Sequence, residues 1–156
     1  MKKILLLIII FSFSFAGTFY VETGPAPQFS INDGQAVDFD KGGLNIGYNH
    51  GFFQKGKWSV AIGGSYTLNP ATTARVGVPR GFNSSWGEAG FLSIYLLPMY
   101  QIGEKFSAWA SIGINQGLYD LDDFDNGNNT GFGIHIKLTD RCGVGAGFVT
   151  NENSYP

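Results

Sequence analysis

The chain has 156 residues, a length that suits one domain, and its formal net charge of −2 at pH 7 argues against a nucleic-acid partner. Charged residues make up only 14% of the sequence and fall mainly between its apolar stretches. The single cysteine, Cys142, excludes an internal disulfide framework. The 23 glycines, about twice the average share, indicate curved strands around a crowded interior.

The segment 1–16 has the layout of a secretory signal peptide. A basic pair precedes an apolar run, and Ser14-Phe15-Ala16 provides a small-x-small cleavage site. The run is shorter than the roughly 20 residues that a membrane-spanning helix needs, so we predict cleavage after Ala16. The exported domain then covers 17–156, and the loss of the two leader lysines changes the net charge from −2 to −4.

Seven stretches alternate between bulky apolar side chains and small or polar ones. A period of two predicts β-strands, because successive side chains of a strand point to opposite faces of the sheet. Tight breaks at 54–57, 103–105 and 139–141 alternate with longer connections, which predicts an all-β, antiparallel up-and-down barrel. The predicted strands are 18–24, 42–53, 58–68, 90–102, 106–116, 131–138 and 142–150.

Three longer connections are predicted to be loops. The segment 28–41 is polar and contains Asp33-Gly34, with room for local strand extension. The segment 69–86 is the longest, and 118–129 is acidic and rich in Asn and Gly.

The apolar face of each strand is predicted to point outward. A soluble up-and-down barrel such as a lipocalin turns its apolar face inward and carries charge outside. Here the other face of the last six strands holds Gly, Ser, Ala and Asn with one charge, Lys137. In a membrane barrel, by contrast, bulky apolar residues meet lipid and small polar ones fill a narrow lumen. The predicted strands 90–102 and 106–116 form the central hairpin. In this hairpin the membrane arrangement places Leu92, Ile94, Ile112 and Ile114 toward lipid and Ser93, Tyr95, Trp109 and Asn115 inside.

Two further features favour a barrel in the outer membrane of a Gram-negative cell. The runs reach the roughly 9–11 residues with which a tilted strand crosses a bilayer. Aromatic residues beside the tight breaks suit an interfacial girdle: Phe52, Trp58, Tyr100 and Phe106. With the amino end inside, the tight turns are periplasmic and the long loops extracellular.

The succession GGLNIGYNHGF, KWSVAIGGSYTL, FLSIYLLPMYQIGEKFSAWASIGINQG and GFGIHIKLTDRCGVGAGF resembles the OmpX/Ail-like outer-membrane proteins of the eight-stranded OmpA-type class. The resemblance covers about residues 42–150. It implies a non-porin barrel with a filled interior, whose loops serve adhesion or defence against host factors.

The chain departs from that family in its strand number. Seven strands are readable, whereas relatives have eight and end the last one in an aromatic residue. The sequence after Thr150 does not alternate, and Tyr155 is a poor substitute for a terminal aromatic. Either the sequence lacks one loop and one strand, or the barrel closes atypically; we favour the first explanation.

Three ionisable residues fall on the predicted lumen face: Glu22, His135 and Lys137. A proton or ligand site is one interpretation. We favour an interior network of ion pairs and hydrogen bonds, because a filled barrel must pair the charges that it buries.

The longest loop carries cations and aromatic residues, Arg75, Arg80, Phe82 and Trp86. Such residues are typical anchors of protein interfaces, so they are candidates for extracellular interaction. The alternative is that they rest against the barrel rim or lipid headgroups.

The sequence therefore predicts a monomeric, non-enzymatic outer-membrane barrel that contacts lipid and lipopolysaccharide and displays loops for surface interaction, adhesion to a host or cell-surface protein, or envelope integrity. We identify no catalytic residue, cofactor or metal ligand. A lipid A-modifying enzyme that uses His50 is an alternative, although no Ser or acid partner follows at suitable spacing. A soluble lipocalin-like ligand-binding barrel is the second alternative.

Overall fold

Ten β-strands form in the part of the chain that the computed structural model describes, residues 17–24, 28–31, 35–38, 41–72, 88–119, 125–139 and 142–152. They are β1 (Gly17–Thr23), β2 (Gln28–Ile31), β3 (Gln35–Asp38), β4 (Leu44–Lys55), β5 (Trp58–Asn69), β6 (Ala71–Thr72), β7 (Glu88–Gln101), β8 (Phe106–Tyr119), β9 (Gly127–Lys137) and β10 (Gly143–Glu152). These residues include no helix that is long and apolar enough to cross a membrane.

Seven strands form one meander in the order β1-β4-β5-β7-β8-β9-β10, and β6 adds to the sheet by pairing with β7. Every pairing is antiparallel, and the sheet curls strongly into a near-barrel. The predicted all-β, up-and-down fold is therefore confirmed. The edge strands β1 and β10 run in the same direction, because six antiparallel steps separate them.

The sheet has a turn end and a loop end. The turn end carries the tight connections 55–58, 101–106 and 137–143, and the loop end lies at the opposite ends of the same strands. At the turn end Gly56 has a φ of 59°, a conformation that glycine adopts without a Cβ clash and that suits a two-residue hairpin turn. The next connection is closed by a hydrogen bond from the Ile102 N–H to the Phe106 carbonyl, 2.9 Å.

The predicted loops contain more strand structure than their composition indicates. The segment 28–41 holds the β2–β3 hairpin, and 69–86 begins with β6. The prediction was wrong at both ends of 118–129, where β8 continues to Tyr119 and β9 already begins at Gly127. Asn128 and Asn129 favour turns by themselves, but pairing with β8 draws them into the sheet.

A β-bulge in β4 changes which side chains point outward near the turn end. The register with β5 shifts between Gly51 and Phe53, so that Phe52 is the extra residue. Both Phe52 and Phe53 are exposed as a result, although strict alternation places only Phe52 on the apolar face.

Candidate functional site on the two faces of the sheet

The outward face of the sheet is apolar and exposed. Ile94 and Ile112 lie near the middle of their strands and expose 55% and 63% of their surface. The orientation that the sequence predicts for the central hairpin is confirmed, because its bulky apolar residues are exposed and its small or polar ones face inward. The exposed apolar residues at outward positions also include Phe19, Val21, Ile62, Leu92, Leu96, Ile114, Phe132, Ile134, Val144 and Phe148.

The length of the outward apolar band can be estimated from the strand rise. Along β7 and the residue that follows it, the band runs over alternate positions from Leu92 to Ile102, a distance of about 33 Å at about 3.3 Å per residue. With the tilt of about 40° that small barrels have, the band rises about 25 Å, which is the height of the apolar band on membrane barrels.

Positive charge collects at the turn end. The described residues there include four exposed lysines, Lys55, Lys57, Lys105 and Lys137, and one carboxylate, Glu104. No charged residue lies between them and the loop end on the described strands of the main sheet.

Negative charge collects at the loop end. Four carboxylates lie there, Glu22, Glu88, Asp125 and Glu152, together with one cation, Lys41, among the residues that can be placed on the main sheet. The apolar band is thus bounded by charges of opposite sign at its two ends.

Aromatic side chains ring the turn end, as the sequence predicts. The Trp58 and Tyr100 rings lie 4.9 Å apart between centroids and are tilted by 54°. Phe52 and Phe106 are exposed at the ends of β4 and β8.

The inward face is filled by aromatic side chains that lie over glycines. The Tyr95 hydroxyl donates to Asn49 Oδ1 at 3.0 Å and pairs with the Tyr20 hydroxyl across the curled sheet. A Cβ at Gly47 would overlap the Tyr20 ring, and one at Gly63 would overlap the Tyr95 ring. These glycines therefore supply the space that the interior tyrosines occupy.

A small apolar cluster closes the inward face toward the turn end. It contains Ala61, Tyr95 and Leu97, with Met99 and Trp109 packed against it. The alternation pattern predicts the inward direction of Tyr95 and Trp109, but it does not predict the cluster, because most inward positions carry small or polar residues. The bulky residues at alternate positions of 91–99 were the sequence feature that could have predicted this cluster.

Asparagines cross-link the last three strands near the loop end. Asn151 Oδ1 accepts hydrogen bonds from Asn129 Nδ2 at 2.7 Å and from Asn115 Nδ2 at 3.1 Å, and Asn115 also donates to the Asn128 carbonyl at 2.8 Å. Asn115 is only 2% exposed. The inward position predicted for Asn115 is confirmed, whereas Asn129 and Asn151 lie outside the predicted strands.

A second group of hydrogen-bonded polar residues, centred on Thr67 and called the Thr67 relay, lies at the same end and links β4, β5 and β7. Thr67 Oγ1 donates to Asn45 Oδ1 at 2.8 Å and accepts from the Phe91 N–H at 2.9 Å. The amide of Asn45 hydrogen bonds in turn to Glu22, the residue opposite it on β1. Tyr119 adds a donor to this group, because its hydroxyl bonds the Thr67 carbonyl at 3.0 Å.

The three ionisable residues predicted for the lumen lie at two places. Glu22 lies on edge strand β1 at the loop end, whereas His135 and Lys137 lie on β9 near the turn end. His135 Nε2 occupies the space that a Cβ at Gly143 would need. Glu22 hydrogen bonds to Asn45 and therefore belongs to the Thr67 relay. β1 and β9 are not neighbours in the sheet, and a single network that joins all three residues stays a prediction.

The predicted loop anchors Arg75, Arg80, Phe82 and Trp86 lie outside the described residues. His50, the residue of the enzyme alternative, lies on β4 opposite Ile62 of β5 and Gly17 of β1.

The fold and its two faces define an all-β, up-and-down near-barrel with an apolar exterior and a packed interior. No family model, curated protein or solved structure gives a significant match to this chain.

Proposed function

We propose that this protein spans the outer membrane of a Gram-negative cell as a small, non-enzymatic barrel, and that its long loops act at the cell surface in adhesion or envelope integrity. The observation that carries the proposal is the outward apolar band, which is about 25 Å high by the strand rise and tilt above. On the described strands of the main sheet, charged residues lie only at the two ends of this band.

The exposed surface supports contact with lipid. In water, so continuous an apolar surface would drive association, because soluble monomers rarely expose apolar patches above a few hundred Å². In a bilayer the same surface is solvated by acyl chains, and in the described sheet strand pairing satisfies the backbone groups that lipid cannot, except along the outer edges of β1 and β10.

The packed inward face supports display of loops over transport. Tyr95 and Trp109 lie across the concave side with Leu97 and Met99 against them, so large side chains occupy the centre of the sheet. A barrel of about eight strands is just wide enough for side chains to fill it. We accordingly propose a filled lumen, with outer-membrane lipid and lipopolysaccharide as the surrounding partners of a monomer.

The soluble-barrel alternative requires Leu92, Ile94 and Ile112 to line an interior cavity. All three are exposed on the outward face, which argues against a lipocalin-like arrangement. The enzyme alternative is tested separately: replacing His50 and His135 by Ala should leave lipid A unchanged on mass spectrometry of cells that express the variant. Loss of a lipid A modification that the wild type produces would establish an enzyme.

The loops are proposed to reach a host or cell-surface protein through Arg75, Arg80, Phe82 and Trp86, on the strength of their interface-prone chemistry. The test is surface labelling of intact cells that express the full chain. An epitope inserted after Gly81 should bind antibody on intact cells, whereas the same epitope after Gly103, in a tight turn, should bind only after lysis. Density fractionation should place both proteins in the outer membrane. Recovery in the soluble periplasm without detergent would contradict the proposal.

A further inference from the structure

The four lysines of the turn end form a row along one rim. The Lys57 carbonyl accepts the Gln101 N–H at 2.8 Å, which joins the first tight turn to the second. The Lys105 carbonyl accepts the Lys137 N–H at 2.8 Å, which joins the second turn to the third. Lys55 pairs with Trp58 across the first turn. The cations therefore lie on adjoining turns of one continuous edge.

This row lies at a defined level relative to the apolar band. Trp58 pairs with Lys55 on one side and packs against Tyr100 on the other, and both rings are exposed. Tyrosine and tryptophan favour the boundary between acyl chains and headgroups. The stems of Lys55, Lys57 and Lys105 can reach outward from this level and place their ammonium groups among the headgroup phosphates.

The loop end differs from the turn end in the sign of its described charges. Among the residues that can be placed on the main sheet, it carries four carboxylates and one lysine, the reverse of the described part of the turn end. By the charges of the described residues, an anionic surface would therefore attract the turn end more strongly than the loop end.

We propose that the turn end is a docking surface for the phosphate groups of anionic membrane lipids. The inference rests on the proposed function, because the lysines reach headgroups only if the apolar band lies among acyl chains. Each lysine near an anionic membrane surface is expected to raise lipid affinity about fivefold.

The test uses Trp58 as a reporter of its lipid neighbours. A chain with Trp86→Phe and Trp109→Phe retains Trp58 as the only one of the three tryptophans. It is reconstituted in phosphatidylcholine bilayers that contain increasing fractions of phosphatidylglycerol. In each sample, one of the two lipids carries brominated acyl chains, which quench tryptophan fluorescence. Quenching should show that phosphatidylglycerol is favoured beside Trp58 by about fivefold or more at low salt. The preference should fall toward unity in 1 M NaCl, where the screening length is about 3 Å.

A matched pair of charge changes gives the control. Lys57→Gln should lower the preference for phosphatidylglycerol about fivefold, whereas Lys41→Gln at the loop end should leave it unchanged. Equal quenching by the two brominated lipids, or equal effects of the two substitutions, would overturn the inference while leaving the membrane assignment intact. If neither brominated lipid quenches Trp58, the proposed function itself fails.

A second measurement tests the same inference if the double tryptophan variant does not fold. The wild-type chain is allowed to insert into the same vesicles, and the inserted fraction is followed by protease protection. Insertion should be faster on anionic vesicles, with the acceleration abolished by 1 M NaCl. Insertion at the same rate on neutral and anionic vesicles would count against the docking surface.

Discussion

The indole of Trp109 on β8 crosses Gly133 of β9 and lies against the backbone of Gly147 on β10. One interior side chain thus spans three strands, and it can do so only because both neighbours lack a Cβ. The arrangement explains why glycine, which weakens an ordinary strand, recurs on the inward side of the last two strands.

Gly147→Ala should lower the free energy of unfolding by about 1–3 kcal/mol, because the added methyl group overlaps both the Trp109 ring and the Phe132 carbonyl. Urea unfolding of the protein reconstituted in bilayers measures the change. Gly64→Ala is the matched control, since the nearest atom to its added Cβ is the Ser93 carbonyl oxygen at 3.4 Å. Equal effects of the two substitutions would show that Trp109 does not occupy this position.

Tyr95→Phe should cost about 1–2 kcal/mol of stability, because it removes the donor to Asn49 and the partner of the Tyr20 hydroxyl. The exposed Tyr100→Phe removes a hydroxyl from the same strand and should change stability by less than about 0.5 kcal/mol. The same unfolding measurement applies. A Tyr95→Phe protein as stable as the wild type would mean that the interior hydroxyls are solvated.

Asn151→Ala should cost about 1–3 kcal/mol, because Asn115 and Asn129 both lose their shared acceptor. Asn128→Ala provides the control: Asn128 contributes its backbone carbonyl to the network, and that group survives the substitution. Hydrogen exchange at the loop end of β10 should rise in Asn151→Ala and stay at the wild-type level in Asn128→Ala. Equal protection in the two variants would contradict the cross-link.

Ile112→Lys should destabilise the protein in bilayers by about 2–4 kcal/mol, because Ile112 lies near the middle of the apolar band. Ile102→Lys lies at the turn end and should cost no more than about 1 kcal/mol, since its ammonium reaches the interface. A soluble barrel would give the opposite outcome for Ile112→Lys, with unchanged stability and improved solubility in buffer.

The sequence suffices to predict the seven strands of the main meander, though not all their ends, and the outward direction of Leu92, Ile94, Ile112 and Ile114. A period of two fixes which residues share a face, and the scarcity of charge on the small face selects its direction. Register irregularities are not readable in that way. The bulge at Phe52 depends on how β4 and β5 pair, so alternation cannot reveal that Phe53 also points outward.

The polar part of the interior is the least predictable from sequence. Asn129 and Asn151 favour turns in isolation and become strand residues where backbone pairing draws them into the sheet and each side chain finds an amide partner on a neighbouring strand. Glu22, His135 and Lys137 share a face in the alternation pattern, yet position along the sheet places Glu22 beside Asn45 at the loop end and His135 beside Gly143 near the turn end.

The most direct test of the membrane assignment compares two methyl-bearing residues on β7, Ile94 and Leu97. Ile94 is 55% exposed on the outward face, and Leu97 is 9% exposed on the inward face. In nanodiscs that contain a lipid spin-labelled at the end of its acyl chain, methyl NMR should show strong broadening of Ile94 and little of Leu97. Broadening of Leu97 with Ile94 unaffected, or of neither residue, would contradict a barrel whose apolar face meets lipid.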